Sequence, residues 1–225
     1  MPRLTLLKLS PSGRRFLRRL AVVVIVVVIL VGFRLVQEIG PEREPEARFT
    51  AVRVLDGDTI ELAGGDLVRL LGVDTPERDE PLFDEARMFV ERLVLGRQLR
   101  LEFGESRRDR YGRLLAFAYA DTVFVNRAII ENGLGYLYLF DDSPSDRAEL
   151  RAMMAAQQIA IRDRAGLLGL DRAQEPYYIA SQSSYRFHRP GCRSAASIAP
   201  ERTRRFATRE EALAAGLSPC RNCRP

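Results

Sequence analysis

Three patterns of apolar and polar positions follow one another along the chain. In the first, Leu20 to Phe33 runs for 14 residues without a polar side chain. As a helix this run is about 21 Å long. Arg34, whose guanidinium can snorkel, extends it with Leu35 and Val36 to about 26 Å, near the roughly 30 Å of a bilayer core. The second pattern begins at Phe49. Short apolar runs punctuated by glycine predict strands over Phe49–Leu55, Thr59–Ala63, Leu67–Val73, Gln98–Phe103 and Leu114–Tyr119. "AGGD", Ala63 to Asp66, is the expected hairpin turn between the second and third. The third pattern has helical period. Phe83, Ala86, Phe89, Val90, Leu93 and Val94 form a stripe closed by Gly96. "VNRAIIENG" predicts a second, short helix. A third follows in "SPSDRAELRAMMAAQQIAIRDRAG", with Ser143 as N-cap, Pro144 at the first helical position, Asp146 in a box-like start and Gly166 as the stop.

Five strands with three inserted helices fit a β-rich α+β fold, a small Greek-key barrel of the OB type. At 46% hydrophobic the chain can bury a core, which argues against global disorder. Its net charge of +5 conceals a sorting into blocks. Residues 1–40 carry seven basic side chains against Glu38 alone, net +6. Residues 41–176 hold 19 Arg and 26 acids, net −7, and residues 177–225 hold nine Arg and three acids, net +6. The basic cluster precedes the apolar run, so the N-terminus stays cytoplasmic and the rest crosses. The expected order is a basic cytoplasmic segment, 1–19, a single-pass transmembrane anchor, 20–36, a charged linker, 37–48, the barrel domain, 49–170, and a C-terminal module, 177–225. A cleaved signal peptide, releasing a secreted protein, is the rival; no small-x-small site follows the run.

The chemistry lies at strand ends. "DGDT" (Asp56–Thr59) and "DTPE" (Asp74–Glu77) each follow an apolar run, so paired strands can bring Asp58 and Asp74 to one rim of the barrel. Two close carboxylates raise each other's pKa unless a counter-charge intervenes, and a hard divalent cation with oxygen ligands resolves the conflict. Glu77, three residues past Asp74, is placed to act as a general base on a water. Arg69 lies in the strand leading to Asp74, and Arg113 follows the turn "DRYGR". Guanidinium groups hold two phosphate oxygens at once and offset the charge of a phosphorane-like transition state.

In this order, "VLDGDTIEL", "VRLLGVDTPE", "EAR-F", "DRYGRLLAFAYADTVFVNRAIIENGLGYLYLF" and the late helix resemble the thermonuclease (staphylococcal nuclease-like) family over about residues 49–170. The resemblance implies an OB-fold barrel and calcium-dependent cleavage of DNA and RNA, with products ending in a 3′-phosphate. It further implies that Asp58 and Asp74 are calcium-binding carboxylates, that the Thr75 carbonyl adds a ligand, that Glu77 is the base, and that Arg69 and Arg113 bind phosphate. Tyr111 corresponds to an aromatic near the nucleotide, and Tyr136 and Tyr138 are further candidates for base stacking. One departure is plain. "ERDEPLFDE", Glu77 to Glu85, is short and acidic, and the whole central block repels a polyanion away from the site.

The tail holds the only His and all three Cys. His188 and Cys192 have three residues between them; Cys220 and Cys223 form a CxxC pair. Two pairs complete a closed tetrahedron of one His and three Cys for structural zinc, and three Cys cannot all pair as disulfides. Thr208 and Glu211 form a capping box before "EALAAG", which Gly216 ends. "FHRPGC", "F-TREEALAAG" and "PCRNC" are similar to the metal-binding domain of the DNA-repair protein Ada. That family has Cys at all four positions and its methyl acceptor is the first; here it is His188, which leaves a binding or structural role.

The expectation is therefore a monomeric, membrane-anchored extracytoplasmic nuclease that uses calcium and carries structural zinc. Its partners are DNA or RNA and the membrane, and no protein partner is implied. A catalytically silent nucleic-acid-binding module and a phosphodiesterase for a smaller substrate are the alternatives.

Overall fold

β1 (Arg48–Asp56) turns Ala51 and Val54 inward and leaves Val52 and Arg53 at the surface. Two irregularities in its register with β2 (Thr59–Leu62) break strict alternation. The structure is a computed structural model and describes residues 24–30, 47–139 and 147–225. β3 (Leu67–Leu70) pairs with β2, β5 (Gln98–Arg108) with β1, and β6 (Leu114–Ala120) with β5, all antiparallel. β6 then meets β3 in parallel, Arg69 opposite Leu115, which closes a five-stranded barrel. Ile60, Val68, Leu70, Leu99, Ala116 and Ala118 fill its interior. Closure through the β3–β6 pairing leaves the five barrel strands without a free edge among themselves. β7 (Val123–Phe124) extends the sheet beyond β6.

The strand expected over Leu67–Val73 is broken in two. Gly72 adopts φ +71, and a Cβ there would sit 2.8 Å from the Met153 methyl. The left-handed turn lifts the chain off the barrel, and β4 (Val73–Asp74) pairs instead with β8 (Tyr136–Leu137). Asp74 is thereby placed at the rim. α1 (Phe83–Val94) buries Ala86, Val90 and Val94 as the stripe predicts, and α2 (Val125–Glu131) buries Ile129 and Ile130. α3 (Ala148–Asp163) ends with Arg164 in the left-handed region, two residues before the expected stop. Gly166 serves a different need: a Cβ there would lie 2.5 Å from the Gly133 carbonyl oxygen. Ser143, Pro144 and Asp146 lie outside the described residues.

The C-terminal module is a four-stranded sheet in the order β11 (Thr203–Phe206), β9 (Tyr178–Ser181), β10 (Arg186–His188), β12 (Ser218–Pro219), with one helix, α4 (Arg209–Ala214). The capping box forms: Glu211 N donates to Thr208 Oγ1 at 3.1 Å, and Ala207 N donates to the Glu211 carboxylate at 2.8 Å. Residues 47–225 form one compact unit. The module's core of Tyr178, Phe187, Leu213 and Leu217 continues into Ile161 and Leu168 and meets Tyr136. Gln157, buried on α3, donates to Leu213 O at 2.7 Å and accepts from Leu137 N at 2.7 Å. One amide thus ties the module to the strand that pairs with Asp74.

Residues 24–30 are helical with exposed side chains. Among the described residues no helix is long and apolar enough to cross a membrane. The rest of the expected anchor, the basic segment and most of the linker lie outside the described residues.

Candidate active site and candidate metal centre

The β1–β2 turn delivers Asp58 and the β3–β4 break delivers Asp74, and both carboxylates are buried. Gly57 is required between them, because a Cβ there would lie 2.8 Å from the Thr75 side chain. Asp58 Oδ2 accepts from Thr75 N and from Thr75 Oγ1, each at 3.1 Å, and Oδ1 accepts from Thr59 Oγ1 at 3.2 Å. Arg69 Nη2 lies 3.1 Å from Asp58 Oδ2 and 3.9 Å from Asp74 Oδ1. Burial pushes the Asp58 carboxyl above its ordinary value despite the attraction of Arg69. The negative charge is therefore under-compensated in a largely dry place. Its ligand atoms are all oxygen, the donor set of a hard divalent cation.

Arg113 is fixed by its own turn. Asp109 accepts from Arg113 Nε at 2.8 Å and from the backbone N–H groups of Tyr111 and Arg113 at 2.9 and 3.0 Å. Partial burial pushes Asp109 up, but these bonds outweigh it and hold the carboxyl below its usual value. Tyr111 is 67% exposed at the tip, flanked by the guanidinium groups of Arg110 and Arg113. Asp58, Arg69, Glu77, Tyr111, Arg113 and Tyr138 line one cleft of about 470 Å³. Asp74 and Thr75 line an adjoining cleft of about 430 Å³ between the barrel and the C-terminal module. The two tyrosines of "YLYLF" diverge. The Tyr138 ring lies under Arg186, 3.5 Å from its centroid, whereas the Tyr136 hydroxyl accepts from Arg209 Nη2 at 2.6 Å and faces the module.

Two contributors are not evident from the motifs. Asn126, fully buried on α2, accepts from Ala118 N at 2.9 Å and donates to Leu71 O at 2.8 Å. It pins the chain just before Gly72 and Asp74; an asparagine in an apolar helix stripe is the only local sign. Arg221 arrives from the module: its Nη2 donates to Asp74 Oδ1, and its Nη1 lies 3.2 Å from Glu77 Oε1. Nearby, Arg224 Nε lies 3.0 Å from Glu80 Oε1. No spacing rule could have placed either.

At the second centre the ligand atoms of His188, Cys192, Cys220 and Cys223 all lie within 4.8 Å of one another. The three cysteines are free thiols. His188 Nδ1 is buried with no hydrogen-bond partner among the described residues. Burial lifts the Cys223 thiol to about 12, so without a cation it stays neutral. A buried nitrogen without a partner beside three sulfurs is the donor set of tetrahedral zinc, with no position left open.

Comparison with known proteins follows the same division. Residues 67–168 match the family described as Staphylococcal nuclease homologue, and residues 164–225 match the metal-binding domain of Ada. The chain is 30% identical over 128 residues to the thermonuclease of Staphylococcus hyicus, covering 50% of this chain and 76% of that protein. It is 30% identical over 142 residues to a micrococcal nuclease of Shigella flexneri, covering 58% and 78%. Over 102 residues it is 39% identical to endonuclease YncB of Bacillus subtilis, covering 40% and 48%.

Proposed function

The chain belongs to the staphylococcal nuclease homologue family, and on that premise we propose that it hydrolyses phosphodiester bonds of DNA or RNA. One observation carries the reading: two buried carboxylates share Arg69 at the barrel rim, with Glu77 and a turn-fixed Arg113 on the same cleft. Calcium is the cofactor that fits, held by Asp58, Asp74 and the Thr75 carbonyl. When bound, it supplies Lewis acidity and a template for the phosphate. Glu77 accepts the proton of the attacking water. Arg69 and Arg113 hold the phosphate oxygens and stabilise the charge that builds on them, and the exposed Tyr111 offers a face to a flanking base. Attack at phosphorus with departure of the 5′-oxygen leaves 3′-phosphate products. Structural zinc would be held by His188, Cys192, Cys220 and Cys223. In the same reading the apolar run 20–36 anchors the protein in the membrane with the nuclease outside, where millimolar calcium can fill a site with few protein ligands.

A silent nucleic-acid-binding module is favoured by one feature, the ion pair that engages Glu77 with Arg221. The same assay separates the two readings. DNA incubated with the full chain in calcium, in magnesium and in EGTA should be cut only with calcium. Glu77→Gln should lower kcat about 10²- to 10⁴-fold and leave binding in place. Intact DNA in every condition, with binding retained, rejects the enzyme.

A further inference from the structure

We propose that Arg221, carried on the zinc knuckle, is a phosphate-binding residue of the nuclease site that also guards its metal ligands. It neutralises Asp74 and Glu77 while no divalent cation is bound, and turns to the substrate phosphate once a cation takes those carboxylates. The inference rests on the nuclease reading above.

The geometry is specific. Arg221 lies between Cys220 and Cys223, two members of the four-ligand cluster, so zinc ligation on both sides would fix where its backbone stands. Its two guanidinium nitrogens engage two different carboxylates, one of them buried and one exposed. Yet the side chain is still 56% exposed and lines both clefts, so it can leave without unpacking a core.

Charge decides where it goes. Asp58, Asp74 and Glu77 carry three negative charges, and Arg69 returns one. Arg113 is neutralised by its own Asp109. The rim is thus short of two positive charges, and Arg221 supplies one of them. A divalent cation supplies both, after which Arg221 is surplus beside it and is repelled. The single unneutralised charge then present matches one phosphodiester, and a guanidinium is the group that holds two of its oxygens. The acidic barrel domain, which repels nucleic acid on its own, gains a cation from the +6 module at the point of chemistry.

The test compares the full-length chain with Arg221→Gln and Arg224→Gln, zinc content being measured for each. Calcium affinity is read by titration calorimetry without DNA, and kcat and KM are read on single-stranded DNA. Arg221→Gln should bind calcium about tenfold more tightly and raise KM about tenfold, with zinc unchanged. Arg224→Gln should leave both near wild type. Unchanged calcium affinity overturns the proposal, since Arg221 is then a surface ion pair; tighter calcium with unchanged KM overturns it too, leaving a mere plug. If wild type binds calcium and cleaves nothing, the nuclease reading falls and this inference with it.

Discussion

The two candidate metal centres stand at opposite chemical poles. At the barrel rim the ligands are oxygens, already wrapped by Arg69, Arg221 and the Thr75 donors. In the knuckle the ligands are sulfurs and a nitrogen, with His188 Nδ1 left without a partner among the described residues. At the first, two guanidinium groups stand beside the carboxylates, and its cleft is open to solvent. An exchangeable, working cation suits the one, and a permanent, structural cation the other. Yet they are not independent, because Gln157 and Arg221 join them across a shared core.

The largest effect should follow from breaking the closed centre. Cys223→Ser removes one of four ligands, and zinc content should fall from one per chain to near zero. The module, too small to stand on its own core, should lose protection from hydrogen exchange over 177–225. Retained protection without zinc would show that the shared core with Ile161 and Leu168 is enough.

The open centre should respond to pH and calcium together. Burial raises the Asp58 pKa, so its stabilising contribution is present below the unfolded value of 3.8 and is lost as pH rises through the higher folded value. Burial thus disfavours the ionised form of Asp58, and a bound cation would favour it. Calcium should raise Tm by several degrees at pH 7, and the rise should vanish as Asp58 protonates on acidification. A calcium-induced shift that persists unchanged at pH 4 would place the ion elsewhere. The zinc centre should show no response to calcium at either pH.

A smaller effect tests the connection itself. Gln157→Ala leaves Leu137 N without its partner, while Leu213 O keeps Gly216 N, and should cost about 1–3 kcal/mol. Denaturant unfolding, with probes in the barrel and the module, should show the two transitions drawing apart. A single coincident transition would mean that apolar contact alone couples them.

How much was legible in the sequence depends on the range of the interaction. Asp58 and Asp74 could be placed because each closes a strand in a local motif, and strand pairing then fixes where they meet. Arg113 was legible for the same reason: "DRYGR" contains its own partner, Asp109. The clustering of His188 with the three cysteines follows from spacing, and the Thr208–Glu211 box from capping chemistry confined to one turn. The break at Gly72 was not legible, since it depends on Met153, far along the chain. Nor was the real use of Gly166, which answers a close approach by Gly133.

What the sequence determined by itself is the set of parts: a barrel with acids at strand ends, two arginines with local positions, and a four-ligand knuckle. Periodicity, turn chemistry and ligand spacing act over a few residues, and they survive whatever the rest of the chain does. Only the tertiary structure decided that the knuckle docks on the rim, that Tyr136 is turned to Arg209, and that Arg221 lies on Asp74, 147 residues away. Those contacts arise from burying two apolar surfaces against each other, and no local pattern encodes which charged side chains then come face to face.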